Sequence, residues 1–212
     1  MALQPWRTGH VIRVENETKD TKRYWIQVPE LTSFDFAPGQ FVTLDLPIHE
    51  KPNRRLRSYS IASWPDGSNI FELVIVLDRR GTGTNYIFEH VETGSVVTFR
   101  GPQGVFTLKE PLDKEIFFIC TGTGIAPFRS MVRTYPQLDY TLIHGVRYSH
   151  EAYDKQEYAD DRYIFNQPTG ELYYDADGNG SGAQLLIAKF LVPVGTPLVV
   201  TAADIIGSDS VV

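Results

Sequence analysis

Four short stretches of this sequence bring together residue types that can act on a ligand in concert. The first runs from Arg54 to Ser63, where Arg57, Ser58, Tyr59 and Ser60 alternate along a segment of strand composition. Alternation puts Arg57 and Tyr59 on one face and Ser58 and Ser60 on the other. A guanidinium can grip a phosphate through two N–H groups, a phenol ring offers a flat stacking surface, and a hydroxyl can hydrogen-bond a ring nitrogen. A dinucleotide carrying a tricyclic ring would use all three. From these four residues alone, a half-buried Tyr59 used for packing and a solvated Arg57 read equally well.

The second stretch is Gly81-Thr-Gly-Thr-Asn-Tyr-Ile-Phe-Glu-His-Val91. Glycines leading through Gly83 to Thr84 and a helix-compatible segment put unpaired backbone N–H groups and a hydroxyl at a helix start, which suits an anion such as a pyrophosphate. An ordinary helix cap after a tight turn is the commoner use of such a pattern. The third stretch, Gly101-Pro-Gln-Gly-Val-Phe106, is by itself only a turn. The fourth, Thr121-Gly-Thr-Gly-Ile-Ala-Pro-Phe128, follows the apolar run Glu115-Ile-Phe-Phe-Ile-Cys120. Glycines at a strand-to-helix turn let backbone approach a ligand, and ligands of open parallel sheets lie at the carboxyl ends of the strands. The third glycine of the usual dinucleotide fingerprint is missing here, so the context carries more than the pattern.

Two kinds of element must hold these stretches. Residues 8 to 100 contain six short segments rich in β-branched and aromatic residues, 10–14, 24–28, 41–46, 59–62, 71–77 and 96–99, separated by turn signals such as Pro38-Gly39 and Pro65-Asp66-Gly67. Their spacing predicts a small antiparallel barrel. After Lys114 the pattern changes to a strand buried on both faces over 115–120, a helix over 126–135, a strand over 140–144, a helix over 151–158 and a strand over 162–165. That alternation predicts a parallel α/β sheet. Beyond it, 171–174, 185–191 and 198–201 read as strands joined by turns rich in Gly, Asp and Pro. The expected division is 1–110 for the barrel, 111–160 for a partial α/β domain, and 161–212 for a β-rich tail.

Composition bounds the function. The chain has 212 residues, 42% of them hydrophobic and 22% charged, enough to bury a core without covalent staples. A net charge of -6 lacks the basic footprint of a nucleic-acid binder. No apolar run approaches the roughly 20 residues of a membrane span. The first ten residues lack the pattern of a secretory signal, and a single cysteine, Cys120, suits a reducing compartment, so a cytoplasmic location is expected. Charge is uneven, however. Residues 161–212 contain only Arg162 and Lys189 as cations against six acids, which marks a change of character near Asp160.

Taken in order, Pro38-Gly-Gln-Phe-Val42, Arg57 to Ser60, Gly81 to Thr84, Gly101 to Phe106, Gly122 to Phe128 and His144-Gly-Val-Arg147 resemble the ferredoxin-NADP reductase family of flavoproteins, over about residues 5–160. The resemblance implies a barrel that binds FAD and an α/β domain that binds a nicotinamide nucleotide, NADP or NAD. It implies Arg57 on the FAD pyrophosphate, Tyr59 stacked on the isoalloxazine and Ser60 near its reactive nitrogen, the last two as the catalytic pair. Gly83 and Thr84 would hold the pyrophosphate, and Gly122, Thr123, Gly124 and Pro127 would line the nucleotide site. Arg147 resembles a position that contacts the adenosine phosphate and so hints at NADPH over NADH. The implied reaction carries electrons from NAD(P)H to an iron-sulfur or flavodoxin-type acceptor.

The resemblance stops early. Family members continue through further strand-helix units to a late Cys-Gly strand end and a C-terminal group near the flavin, so the nucleotide domain is expected to be truncated. From Asp161 the sequence instead resembles the C-terminal part of hemolysin-type calcium-binding repeat proteins, including 198–206. Within it, Asp175-Ala-Asp-Gly-Asn-Gly180 has the oxygen spacing of a calcium loop, yet Leu186 stands where a bidentate Glu is needed, so a turn is the expected role and no metal site is assigned. Three functions compete: a flavin oxidoreductase, a flavin-binding module with impaired nucleotide turnover whose tail patches the open sheet, and a secreted calcium-dependent binding protein. The tail also reads as a candidate C-terminal export segment.

Overall fold

The computed structural model describes residues 4–146, 163–166, 171–174 and 185–189. The chain divides into two compact units, one formed by 1–114 with 123–138 and the other by 115–122 with 139–212.

In the first unit, β1 (Trp6–Thr18), β2 (Thr21–Gln27), β3 (Phe41–Asp45), β4 (Leu56–Ser60), β5 (Ile70–Val76) and β6 (Val96–Gln103) pair antiparallel in the order β4-β3-β6-β1-β2-β5. The ends of that order meet just past β4, where the Ala62 N–H donates to the Glu72 carbonyl at 2.8 Å, so the sheet curls toward a barrel. All six expected strands are present. The first is much longer than its apolar stretch, because Trp6–His10 pair with β6 while His10–Thr18 pair with β2. Alternate residues fill the interior: Tyr24 and Ile26 from β2, Val42 and Leu44 from β3, Phe71, Leu73 and Ile75 from β5. Phe71 sits between Phe34 and Phe99, at ring separations of 4.8 and 5.1 Å.

Helix α1 (Thr82–His90) follows β5 and buries Ile87 in this core. Its last turn is held by Lys22, whose Nζ donates to the Phe88 carbonyl at 3.3 Å and lies over the Phe88 ring, a cation placed where the helix dipole favours one. Helix α2 (Ala126–Thr134) belongs to the same unit although it comes later in sequence. An ion network fastens it. Arg129 Nη1 donates to the Ala62 carbonyl at 2.8 Å and to Glu72 Oε2 at 2.9 Å, and Glu72 also accepts from Arg23 at 2.8 Å. Trp64 receives both Arg129 and Arg133 over its ring, at 5.3 and 4.5 Å.

The second unit is a five-stranded sheet in the order β11-β10-β9-β8-β7, from β7 (Ile116–Thr121), β8 (Tyr140–Val146), β9 (Tyr163–Asn166), β10 (Glu171–Tyr174) and β11 (Leu185–Lys189). β7, β8 and β9 run parallel, as the alternating pattern predicts. β10 and β11 then continue the sheet antiparallel. The described strands of the tail, 163–166, 171–174 and 185–189, lie in this sheet. One expectation is corrected: β7 is not buried on both faces, since Phe118 is buried while Phe117 is 58% exposed. β7 is the outermost strand of its sheet order, where flanking elements cover less. The expected helix 151–158, the strand 198–201, the stretch 198–206 and the loop 175–180 lie outside the described residues.

Candidate functional site

The first unit brings Arg57 and Gly83 into contact. β4 carries Arg57 to the start of α1, where its side chain lies directly on the glycine: a Cβ at position 83 would come within 2.8 Å of Arg57 Nε and 2.9 Å of Cγ. Three oxygens fix the guanidinium. Nη1 donates to the carbonyls of Arg54 (3.1 Å) and Leu56 (2.8 Å), and Nη2 donates to the Thr82 hydroxyl at 3.2 Å. Among the described residues no carboxylate pairs with it. α1 begins at Gly81 in extended conformation with no side-chain cap, so the N–H groups of Thr82, Gly83 and Thr84 have no helical acceptor, the first such bond being Asn85 N–H to Gly81 O at 3.1 Å. A guanidinium beside the positive end of a helix is electrostatically unfavourable by itself. An anion between them resolves the conflict, and a diphosphate has the charge and the oxygens to do so. The residues present therefore fit the pyrophosphate of FAD.

Thr84 takes a different part from the one its spacing suggests. Its Oγ1 donates toward the carbonyls of Asp78 (2.9 Å) and Gly81 (3.2 Å) and accepts from the Asp78 N–H at 3.1 Å. The hydroxyl thus ties α1 to the preceding loop, and only the Thr84 backbone N–H faces the helix start. Asn85 Nδ2 supports the same loop through Gly81 O at 2.9 Å.

Tyr59 lies two residues along β4, half-buried against the barrel core. Burial pushes its phenol up to about 12, with Arg57 pulling the other way, so the ring is neutral at any working pH. Ser60 ends β4 opposite Phe41, half-buried, and its hydroxyl takes no hydrogen bond among the described residues. Ser58 by contrast pairs with Thr43 Oγ1 at 3.1 Å, and Gln103 Nε2 donates to that same Thr43 oxygen at 2.7 Å. The Ser58 face of the strand is thus bound up in a polar cross-strand cluster, which leaves Arg57, Tyr59 and Ser60 as the ligand-competent side chains of β4.

The second glycine-rich stretch forms a 3-10 turn over Gly122–Ile125 between β7 and α2. Gly122 has φ +50°, a left-handed conformation that suits glycine. Thr123 is half-buried, Gly124 exposed, and Pro127 buried in the first turn of α2, where a missing N–H costs nothing. Arg147 lies outside the described residues. Two residues with structural claims on these stretches were not singled out by sequence reasoning. Arg129 directly follows the Gly122–Phe128 stretch, and a single charge within the otherwise uncharged run 126–132 was the available signal. His144 was noted only as part of a motif. It is 5% exposed and bonds the Gly122 carbonyl through Nε2 at 2.9 Å.

Comparisons with known proteins agree with this geometry. The family model for the oxidoreductase FAD-binding domain matches residues 8–108, and that for the oxidoreductase NAD-binding domain matches 118–163. The chain is 33% identical over 156 residues to the glycine betaine monooxygenase reductase subunit of Pseudomonas aeruginosa, covering 69% of this chain and 42% of that protein. It is also 33% identical over 153 residues to the ferredoxin–NAD(P)(+) reductase component of the naphthalene 1,2-dioxygenase system of Pseudomonas putida, covering 70% of this chain and 44% of that one. Among solved structures, the Amycolatopsis cytochrome P450 reductase GcoB superposes with a TM-score of 0.64 at 29% identity, over 75% of this chain and 49% of that chain. The chain spans less than half the length of these relatives. The two domain matches stand in this order on an antiparallel barrel and on a sheet whose first strands run parallel, an arrangement similar to that of ferredoxin reductase-like flavoproteins.

Proposed function

We propose that this chain is an FAD-dependent oxidoreductase that moves electrons between NAD(P)H and a one-electron acceptor such as ferredoxin or a flavodoxin-type protein. The observation that carries the reading is the anion cradle formed by Arg57, Gly83 and the uncapped start of α1 within the FAD-binding domain. FAD, when bound, supplies the redox chemistry, accepting two electrons from the nicotinamide nucleotide and releasing them singly. The chain's own residues bind and orient. Arg57 and the N–H groups of Gly83 and Thr84 hold the pyrophosphate, Tyr59 presents a neutral ring for the isoalloxazine to stack on, and Ser60 offers a hydroxyl to its reactive nitrogen. The turn from Gly122 through Thr123, Gly124 and Pro127, with Arg147 for an adenosine phosphate, receives the nucleotide. A sequence with one cysteine has no ligand set for an iron-sulfur cluster, so the acceptor's metal lies outside these 212 residues.

The proposed domain division is 1–110, 111–160 and 161–212, in a cytoplasmic protein. Among the described residues no helix is long and apolar enough to cross a membrane. A second reading, a flavin-binding module with impaired nucleotide turnover, draws on one observation: β10 and β11 extend the sheet antiparallel, where members of the resembled family continue through further strand-helix units. The resemblance of 161–212 to hemolysin-type proteins leaves a secreted calcium-dependent binding protein as the remaining alternative. The test is a visible spectrum of the purified protein with FAD, before and after anaerobic NADPH and then NADH. Bleaching by either nucleotide is expected and identifies the preferred one. Bound flavin that neither nucleotide bleaches selects the second reading, and failure to take up FAD overturns both.

A further inference from the structure

The Gly122 carbonyl and the His144 ring form a link that the flavin site does not use. His144 stands on β8 beside Cys120 of β7, and Gly145 beside Thr121. β7 ends at Thr121, so the His144 side chain reaches two residues past its paired neighbour to meet the first residue of the turn, with Nε2 2.9 Å from Gly122 O. A carbonyl only accepts, so Nε2 carries the proton. Residue 145 is glycine, and a Cβ there would sit 3.0 Å from Thr121 Cγ2 and 3.5 Å from the Cys120 carbonyl.

Fixing that carbonyl fixes more than one oxygen. The peptide unit is planar and trans, so the Gly122 C=O and the Thr123 N–H point in opposite directions. With C=O turned to His144, the Thr123 N–H is turned away from it, at the start of a 3-10 turn whose first N–H groups have no helical acceptor. Gly122 at φ +50° permits this orientation, but a glycine alone does not enforce it, since it visits many others. His144 supplies the restraint.

We propose that His144 is a positioning residue for the nicotinamide nucleotide: its Nε2–H holds the Gly122 carbonyl, and so presents the Thr123 N–H as a donor to a phosphate oxygen of the nucleotide. The inference rests on the reading of this turn as the nucleotide site. It requires binding to depend on a side chain that itself touches no ligand, and it separates nucleotide affinity from flavin affinity, because His144 and the FAD cradle belong to different units.

The test uses the full chain loaded with FAD. NADP+ and NAD+ are titrated separately and followed by the flavin difference spectrum, and KM and kcat for NADPH and NADH are measured with ferricyanide as acceptor. H144F is expected to raise the nucleotide Kd and KM about tenfold, the scale of one charge-assisted hydrogen bond, with kcat within about twofold. FAD content should match the parent. H144Q keeps an N–H donor and is expected to recover most of the loss. H144N keeps the donor but falls short of the carbonyl, so it should weaken nucleotide binding as H144F does, and it serves if H144F folds poorly. Unchanged nucleotide Kd in H144F or H144N overturns the inference alone, as does equal weakness of H144Q and H144F with intact flavin. A parent protein that holds FAD and responds to neither nucleotide overturns the inference together with the nucleotide-site reading.

Discussion

Arg57 illustrates how one side chain gains a role from its neighbours. Its charge meets carbonyl and hydroxyl oxygens and the bare start of a helix, with Gly83 leaving room for its stem. R57A should weaken FAD binding by about 1.5–3 kcal/mol, read by fluorescence titration, because a charge-assisted bond is lost. G83A should do nearly as much without touching the arginine, since the added methyl displaces Arg57 while the melting temperature stays close to that of the parent. The two tyrosines behave differently. Burial raises both Tyr59, to about 12, and Tyr24, which is also raised by Tyr59. Both phenols stay neutral in the fold above pH 10, where unfolded tyrosines ionise, so the unfolded state binds fewer protons there. Stability should hold steady below pH 10 and fall from pH 10 toward 12, as denaturant midpoints measured across that range would show, with Y59F flattening the slope. At this scale the sequence singled out Arg57 and Gly83, which the fold places in contact, but it gave no sign that the Thr84 hydroxyl is engaged by the Asp78 loop. Its partners come from the Asp78 loop, whose path no local pattern encodes.

At the scale of elements, the barrel strands were readable because Phe71, Leu73 and Ile75, or Tyr24 and Ile26, repeat at the strand period. The length of β1 was not, since its two halves satisfy two different partners and only one half is apolar. The attachment of α2 was also hidden. Glu72 and Arg129 lie 57 residues apart, and neither is unusual until the fold joins them. Glu72, with a side chain 12% exposed, stands between Arg23 and Arg129. E72Q should destabilise the protein by about 3 kcal/mol, because it removes the carboxylate that two buried guanidiniums share, and chemical denaturation would measure it. Because that carboxylate ties α2 to β5, hydrogen exchange over 126–134 should quicken in the variant.

For the molecule as a whole, the matched stretch covers 42% and 44% of two relatives, and past β9 the described sheet turns antiparallel. β10 pairs antiparallel onto β9, and β11 onto β10. Ending the chain after Asn166 would strip both and leave a β9 edge of open N–H and C=O groups, so light scattering should report concentration-dependent association. Soluble protein should still take up FAD, since the cradle lies wholly in the first unit. The order in which that unit is completed follows from the ion network. Its six strands are all present in sequence by Gln103, yet the helix that carries Arg129 is encoded only after β7 has been made. On a ribosome, which delivers the chain from its N-terminus, the barrel therefore emerges with Glu72 facing Arg23 but not yet Arg129. Its last contacts wait until the first strand of the other unit has already left the tunnel, so synthesis of the two units is interleaved and neither can be finished strictly before the other begins.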